Sequence, residues 1–115
     1  MSLTDHQGGP KGYYHNPTRI ISLRKNLSER AYRSTLAHEL GHAFYRDELT
    51  GVDWIDDRME KRANTFAANL LIDHHDVAQA EHLHGPHEDM IAHELGVTRH
   101  LLAHWRDEYL RKLTP

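Results

Sequence analysis

The chain has no cysteine among its 115 residues. That excludes a disulfide framework and any thiolate metal site, so a metal centre here must be built from His, Asp or Glu. It also fits a reducing compartment such as the cytoplasm. No run of about 18 apolar residues is present, so no segment reads as a membrane span. The polar, Gly-containing start has no apolar stretch of the kind a secretory signal needs. Basic charge is not in excess either. Lys and Arg number 14 against 17 Asp and Glu, a formal net charge of -3. Nucleic-acid binders usually carry a basic stripe, which argues against a DNA or RNA partner. What the chain does have in abundance is histidine, 12 residues in all.

The length is that of one domain. Residues 1–12, with Gly8, Gly9 and Pro10 as breakers, read as a disordered lead-in, and residues 13–115 as a single domain. Tyr13-Tyr14 and Arg19 to Leu23 are β-prone, and His15-Asn16-Pro17 between them supplies turn residues, which predicts a hairpin. In its second segment Ile21 and Leu23 fall on one face and Ile20 and Ser22 on the other. Ser28 is suited to cap a helix running to about Arg46, with Leu36, Leu40, Ala43 and Phe44 as its apolar stripe. Asp47 to Asp56 reads as a loop. A second helix is expected from about Arg58 to Ile72, and Asp73 to Glu81 holds one helical turn or two. Pro86 opens a third helix that ends near Gly96, and Thr98 caps a last one reaching about Lys112. The expected fold class is α+β: a small N-terminal β-hairpin or sheet packed on two long helices, with a C-terminal helical pair. Trp54 and Trp105 read as packing residues.

Residues 38 to 42 read His-Glu-Leu-Gly-His, an H-E-x-x-H motif. Four residues apart on a helix, His38 and His42 project from one face, one turn apart. That matches two positions of a tetrahedral zinc site, and Glu39 beside them is placed to act as general base. A chain so rich in His can produce the pentapeptide by chance, but its position inside an amphipathic helix is what the chemistry requires. Gly41 costs about 1 kcal/mol relative to Ala in mid-helix, and close approach of a neighbour would explain it. A catalytic zinc needs a third protein ligand. Glu60, on the next helix, is favoured because ligands are best fixed on rigid elements. Asp53, Asp56 and Asp57 are rivals, and Asp57 with Glu60 could instead form a helix-start cap. Asn64, one turn after Glu60, is suited to orient a ligating His.

The segments Thr35 to His42 and Glu60 to Leu71 resemble the ImmA/IrrE family of zinc metallopeptidases, over about Tyr13 to Leu110. The second is similar to that family's Glu-x-x-Ala-Asn-x-Phe-Ala-Ala-x-Leu-Leu helix. The resemblance implies Zn²⁺ held by His38, His42 and Glu60, and Glu39 as base. It also implies that the strand preceding the first helix is an edge pairing with extended substrate. The implied substrates are helix-turn-helix repressor proteins of mobile elements, phage or stress responses. The family often has Pro soon after Leu-Leu, where this chain has Ile72-Asp73.

Other features carry less. His93 to Val97 mimics the motif but lacks its second His, and Gly96 ends the helix there. His74, His75, His82, His84 and His87 read as a solvated, His-rich stretch. An oxyanion stabiliser could come from Tyr13, Tyr14, Tyr45, His74 or His75. Two alternatives stand beside the peptidase: a helix-turn-helix DNA-binding module over Ala92 to Trp105, and a zinc-bearing interaction protein without turnover.

Overall fold

The structure is a computed structural model and describes residues 1–114. It is α+β, with three strands followed by five helices. The strands are β1 (Ser2–His6), β2 (Gly12–His15) and β3 (Ile20–Arg24). The helices are α1 (Glu29–Tyr45), α2 (Asp53–Leu71), α3 (His74–His84), α4 (Glu88–Leu95) and α5 (Arg99–Leu113). Among the described residues no helix is long and apolar enough to cross a membrane.

The expected hairpin is present, with β2 antiparallel to β3 and Tyr14 opposite Ile21. Two sheet features differ from expectation. First, the residues read as a lead-in include a strand: β1 runs parallel to β3, with Leu3 opposite Ile21. β1 has no apolar alternation to announce it. It is held by its ladder and by His6, whose Nε2–H donates to the Pro10 carbonyl (2.8 Å) while Nδ1 accepts from Ser22 Oγ (2.7 Å). Second, the sheet order is β1-β3-β2. The strand preceding α1 is therefore central, and the edges are β1 and β2.

The side-chain period of β3 is as read from the sequence. Ile21 and Leu23 pack under α1 with Ala43, joined by Tyr14, Leu36 and Leu40. Phe44, expected in that stripe, is exposed instead and packs against the Tyr45 and Phe66 rings. The second core lies on the other side of α1 and is built by the helices, with Ala37, Ala67, Ile91, Leu102 and Trp105 among its buried members. Trp105 thus packs as expected, whereas Trp54 is solvent-exposed. Alanines in this core let the helices pack closely, and Gly41 of α1 packs against Ala63 of α2. A Cβ there would stand 3.0 Å from the Ala63 Cα and 3.1 Å from its carbonyl oxygen.

The caps explain most helix boundaries. Ser28 Oγ accepts from Ala31 N, and Thr98 Oγ1 accepts from Leu101 N. Gly96, at φ 70°, ends α4. Helix α2 starts at Asp53, five residues before the expected Arg58. The reason is Asp56, which accepts from Thr50 N, Thr50 Oγ1 and Gly51 N and so ties the loop onto the first turn. Asp57 and Glu60 then lie inside the helix, and the capping reading of that pair falls. Asp73 caps α3 through His75 N, and α3 reaches His84, longer than the one or two turns expected. The chain after Leu71 needs no Pro to stop the helix: Ile72 turns extended and buries its side chain.

Candidate metal centre

Helix α1 presents His38 and His42 side by side, and α2 crosses beside it to bring Glu60 to the same place. The ligand atoms of the three residues lie within 4.8 Å of one another. The two Nε2 atoms are 3.1 Å apart. Glu60 Oε1 is 2.9 Å from His42 Nε2, and Oε2 is 3.0 Å from His38 Nε2. Bonds of about 2.0–2.1 Å to a tetrahedral ion set ligand atoms about 3.3 Å apart, so the spacing fits a small divalent cation. Asp53, Asp56 and Asp57, the rival ligands, do not join the group.

The hydrogen bonds behind the rings strengthen that fit. His38 Nδ1 is 2.8 Å from Asn64 Oδ1, and His42 Nδ1 is 2.9 Å from Asp47 Oδ2. Both partners accept, so both Nδ1 atoms carry the proton in the neutral rings. Each Nε2 then offers a lone pair, and the two lone pairs face each other beside the Glu60 carboxylate. Such an arrangement calls for a cation between them. In the metal-free chain a proton answers the same call. Burial disfavours charge on His42, but the hydrogen bonds to Glu60 and Asp47 outweigh it and push its pKa up to about 9. Glu60 is held well below the usual carboxylate range by its hydrogen bonds to His38 and His42.

Glu39 is 6% exposed and lies at the floor of a cleft. Burial pushes its carboxyl above the usual range, the two histidines pull it back, and the Glu60 carboxylate adds to the rise. The cleft has two adjoining hollows that share Gly12, His38, Glu39 and Glu60. One, of about 470 Å³, runs along Tyr13 to Pro17 and is closed by Asp47, Glu48 and Met59. The other, of about 360 Å³, extends toward Lys11, Asn64 and His100. The cleft thus follows β2, an edge strand. The bond from Arg24 N to Lys11 O sets the phase of the β2–β3 ladder, and alternation then turns the backbone N–H and C=O of Gly12 and Tyr14 outward. Gly12 allows the strand to approach the helix: a Cβ there would stand 2.6 Å from Thr35 Cγ2 and 3.3 Å from Glu39 Cγ.

Of the five oxyanion candidates, Tyr13 and Tyr14 line the cleft, while Tyr45, His74 and His75 do not. The Tyr14 hydroxyl donates to Asn16 Oδ1 and accepts from Arg19. Tyr45 lies under the Arg62 guanidinium, and His74 stacks on Tyr109. The near-copy at His93 to Val97 forms no site: α4 stops at Leu95 and Val97 is fully buried. Among the described residues the remaining histidines assemble no further group of ligands. On α5 Arg106 is paired with Glu88 and Glu81, and Arg111 lies 3.9 Å from Glu108.

Two contributors escaped the sequence reading, Asp47 and Arg62. Asp47 lies in what read as a plain loop, five residues after His42. Arg62 NH2 reaches Asp47 Oδ1 at 2.6 Å. An acidic residue just past the end of a helix that carries a candidate metal-binding His was the available signal.

No curated protein matches the chain significantly. The family profile of the IrrE N-terminal-like domain, a metallopeptidase family, matches residues 1–105, from β1 into α5. On that match the chain belongs to the IrrE N-terminal-like domain family, peptidase family M78.

Proposed function

We propose that this chain is a zinc-dependent endopeptidase that cuts an extended segment of a protein, with His38, His42 and Glu60 holding the metal and Glu39 as the base. The observation that carries the reading is the convergence of two imidazole Nε2 atoms and one carboxylate beside a buried Glu39. Three protein ligands drawn from His and Glu are the donor set of catalytic zinc sites. When bound, zinc supplies Lewis acidity toward a peptide carbonyl and toward water.

The chain's own residues divide the remaining work. The outward N–H and C=O of Gly12 and Tyr14 pair with an extended substrate backbone, as a sheet edge does with an added strand. The pairing strand is β2, not the strand before α1. It lays the scissile bond along the cleft, next to Glu39. Glu39 takes a proton from the attacking water and passes it to the leaving amine. Its raised pKa suits a group that must both accept and return a proton.

Membership of the family supports a helix-turn-helix repressor as the substrate class, and such a substrate would be met in the cytoplasm. A packed helix has its backbone bonds satisfied internally and cannot pair with β2. The cut therefore falls in a linker, a mobile loop or a locally unfolded helix. The test is to incubate zinc-loaded protein with a repressor encoded beside it and read the products by mass spectrometry. One defined cut that Glu39→Gln abolishes is the expected result. No cut, or a cut that Glu39→Gln leaves unchanged, overturns the assignment and favours a zinc-bearing interaction protein.

A further inference from the structure

We propose that Asp47, clamped by Arg62, is a positioning residue that fixes the ring of His42 for metal binding; this rests on the metal-site reading above. The local fold is what puts Asp47 there. A helix continued past Tyr45 would carry residue 47 about 140° around the axis from residue 42. Instead Arg46 takes the left-handed conformation, φ 54°, which is unfavourable for a non-glycine residue. The turn is closed by Arg46 N donating to Ala43 O (3.2 Å) and Asp47 N donating to His42 O (2.9 Å). The chain thereby folds back, and the Asp47 side chain arrives behind the imidazole of His42.

Both carboxylate oxygens are then used. Oδ2 accepts from His42 Nδ1–H at 2.9 Å and Oδ1 accepts from Arg62 NH2 at 2.6 Å. The Asp47 side chain is only 6% exposed. A carboxylate so desolvated is tolerable only when it is paired and hydrogen-bonded. Arg62 is two residues beyond Glu60 on α2, and its guanidinium sits 3.9 Å over the Tyr45 ring, which limits where it can move. The clamp thus links the helix carrying Glu60 to the end of the helix carrying His42. His38 has a neutral counterpart in Asn64, so the two rings are oriented by partners of different charge. An anionic partner on Nδ1 fixes the tautomer and also raises the basicity of Nε2. A plain α1–α2 ion pair would do neither.

The experiment is zinc affinity by chelator competition on the full chain, with apo stability measured alongside. Asp47→Ala should raise the zinc dissociation constant about 10- to 100-fold. Asp47→Asn, whose side-chain oxygen can still accept from Nδ1–H, should recover part of the loss. Arg62→Gln should weaken zinc binding in the wild-type background and have no further effect on Asp47→Ala, because it acts through that carboxylate. A purely structural pair would lower apo stability and leave the affinity of the folded protein unchanged. Unchanged affinity in folded Asp47→Ala, or an Arg62→Gln effect that persists without Asp47, overturns the proposal. If Asp47→Ala does not fold, wild-type affinity in both Asp47→Asn and Arg62→Gln overturns it. Zinc binding that requires His38 and His42 but ignores Asp47 defeats this inference alone, whereas a wild-type chain that binds no zinc defeats the metal site with it.

Discussion

Asn64 follows Glu60 by one turn of α2, and its Oδ1 accepts a hydrogen bond from His38 Nδ1 at 2.8 Å. One helix therefore delivers a candidate ligand and also the group hydrogen-bonded to a second candidate ligand on the neighbouring helix. The geometry depends on how closely α1 and α2 approach, and that approach is set by small residues at their crossing.

Glu60 and Asp57 should separate cleanly. Glu60→Ala should sharply weaken zinc binding, because it removes one donor of three. Asp57 is exposed and lies inside α2, away from its first turn. Asp57→Ala should leave zinc affinity alone and change stability by no more than about 0.5 kcal/mol. Isothermal titration with zinc checks the first half and urea denaturation the second. Equal affinities in the two variants would remove Glu60 from the site.

Glu39→Gln should keep fold and metal but lower turnover by about 10²- to 10⁴-fold, the usual worth of a positioned base. Glutamine preserves the volume at a buried position, so the loss should appear in kcat. Hydrolysis of a repressor or peptide substrate near the wild-type rate would show that Glu39 is not the base.

Gly41→Ala sets two effects against each other. Helix propensity alone favours alanine by about 1 kcal/mol. The new Cβ, however, would press on the Ala63 backbone at 3.0 Å, and overpacking of this kind costs about 1–3 kcal/mol. Backbone cannot rotate out of the way, so α2 must shift and carry Glu60 with it. A net destabilisation together with weaker zinc binding is expected, from denaturation and titration of the same sample. A variant more stable than wild type would mean that the helices have room to spare.

The metal-free chain should lose stability on the alkaline side. His42 is raised from 6.5 to about 9 in the folded state. Its contribution is therefore present in full below pH 6.5 and is lost as pH rises through about 9. Glu60 is depressed from 4.5, so its contribution is present above that value and disappears as the solution turns strongly acidic. Urea denaturation of chelated wild type and His42→Gln should show wild type losing its advantage between pH 6.5 and 9.5. An advantage that grows over that range would contradict the ion pair.

The grouping of the candidate site residues was legible in the sequence because their spacing is helical. His38 and His42 share a face by helical spacing, and Glu60 and Asn64 share one by the same rule. The hairpin and the caps at Ser28, Gly96 and Thr98 were legible for local reasons. What escaped depends on contacts distant in sequence or on one unusual backbone angle. β1 has no hydrophobic alternation and exists through pairing with β3. The edge role of β2 follows from β1 covering the other side of β3. Asp47 acts on His42 only because Arg46 adopts φ 54°, which its residue type does not announce. Trp54 falls in the first turn of α2, which begins at Asp53 rather than at Arg58, and its side chain is exposed.

The most direct test of the metal centre is elemental analysis of the purified chain after mild chelation, for wild type, Glu39→Gln and the His38→Ala, His42→Ala double variant. About one zinc per chain is expected in the first two and essentially none in the third. Zinc that stays bound when both histidines are gone would contradict the account.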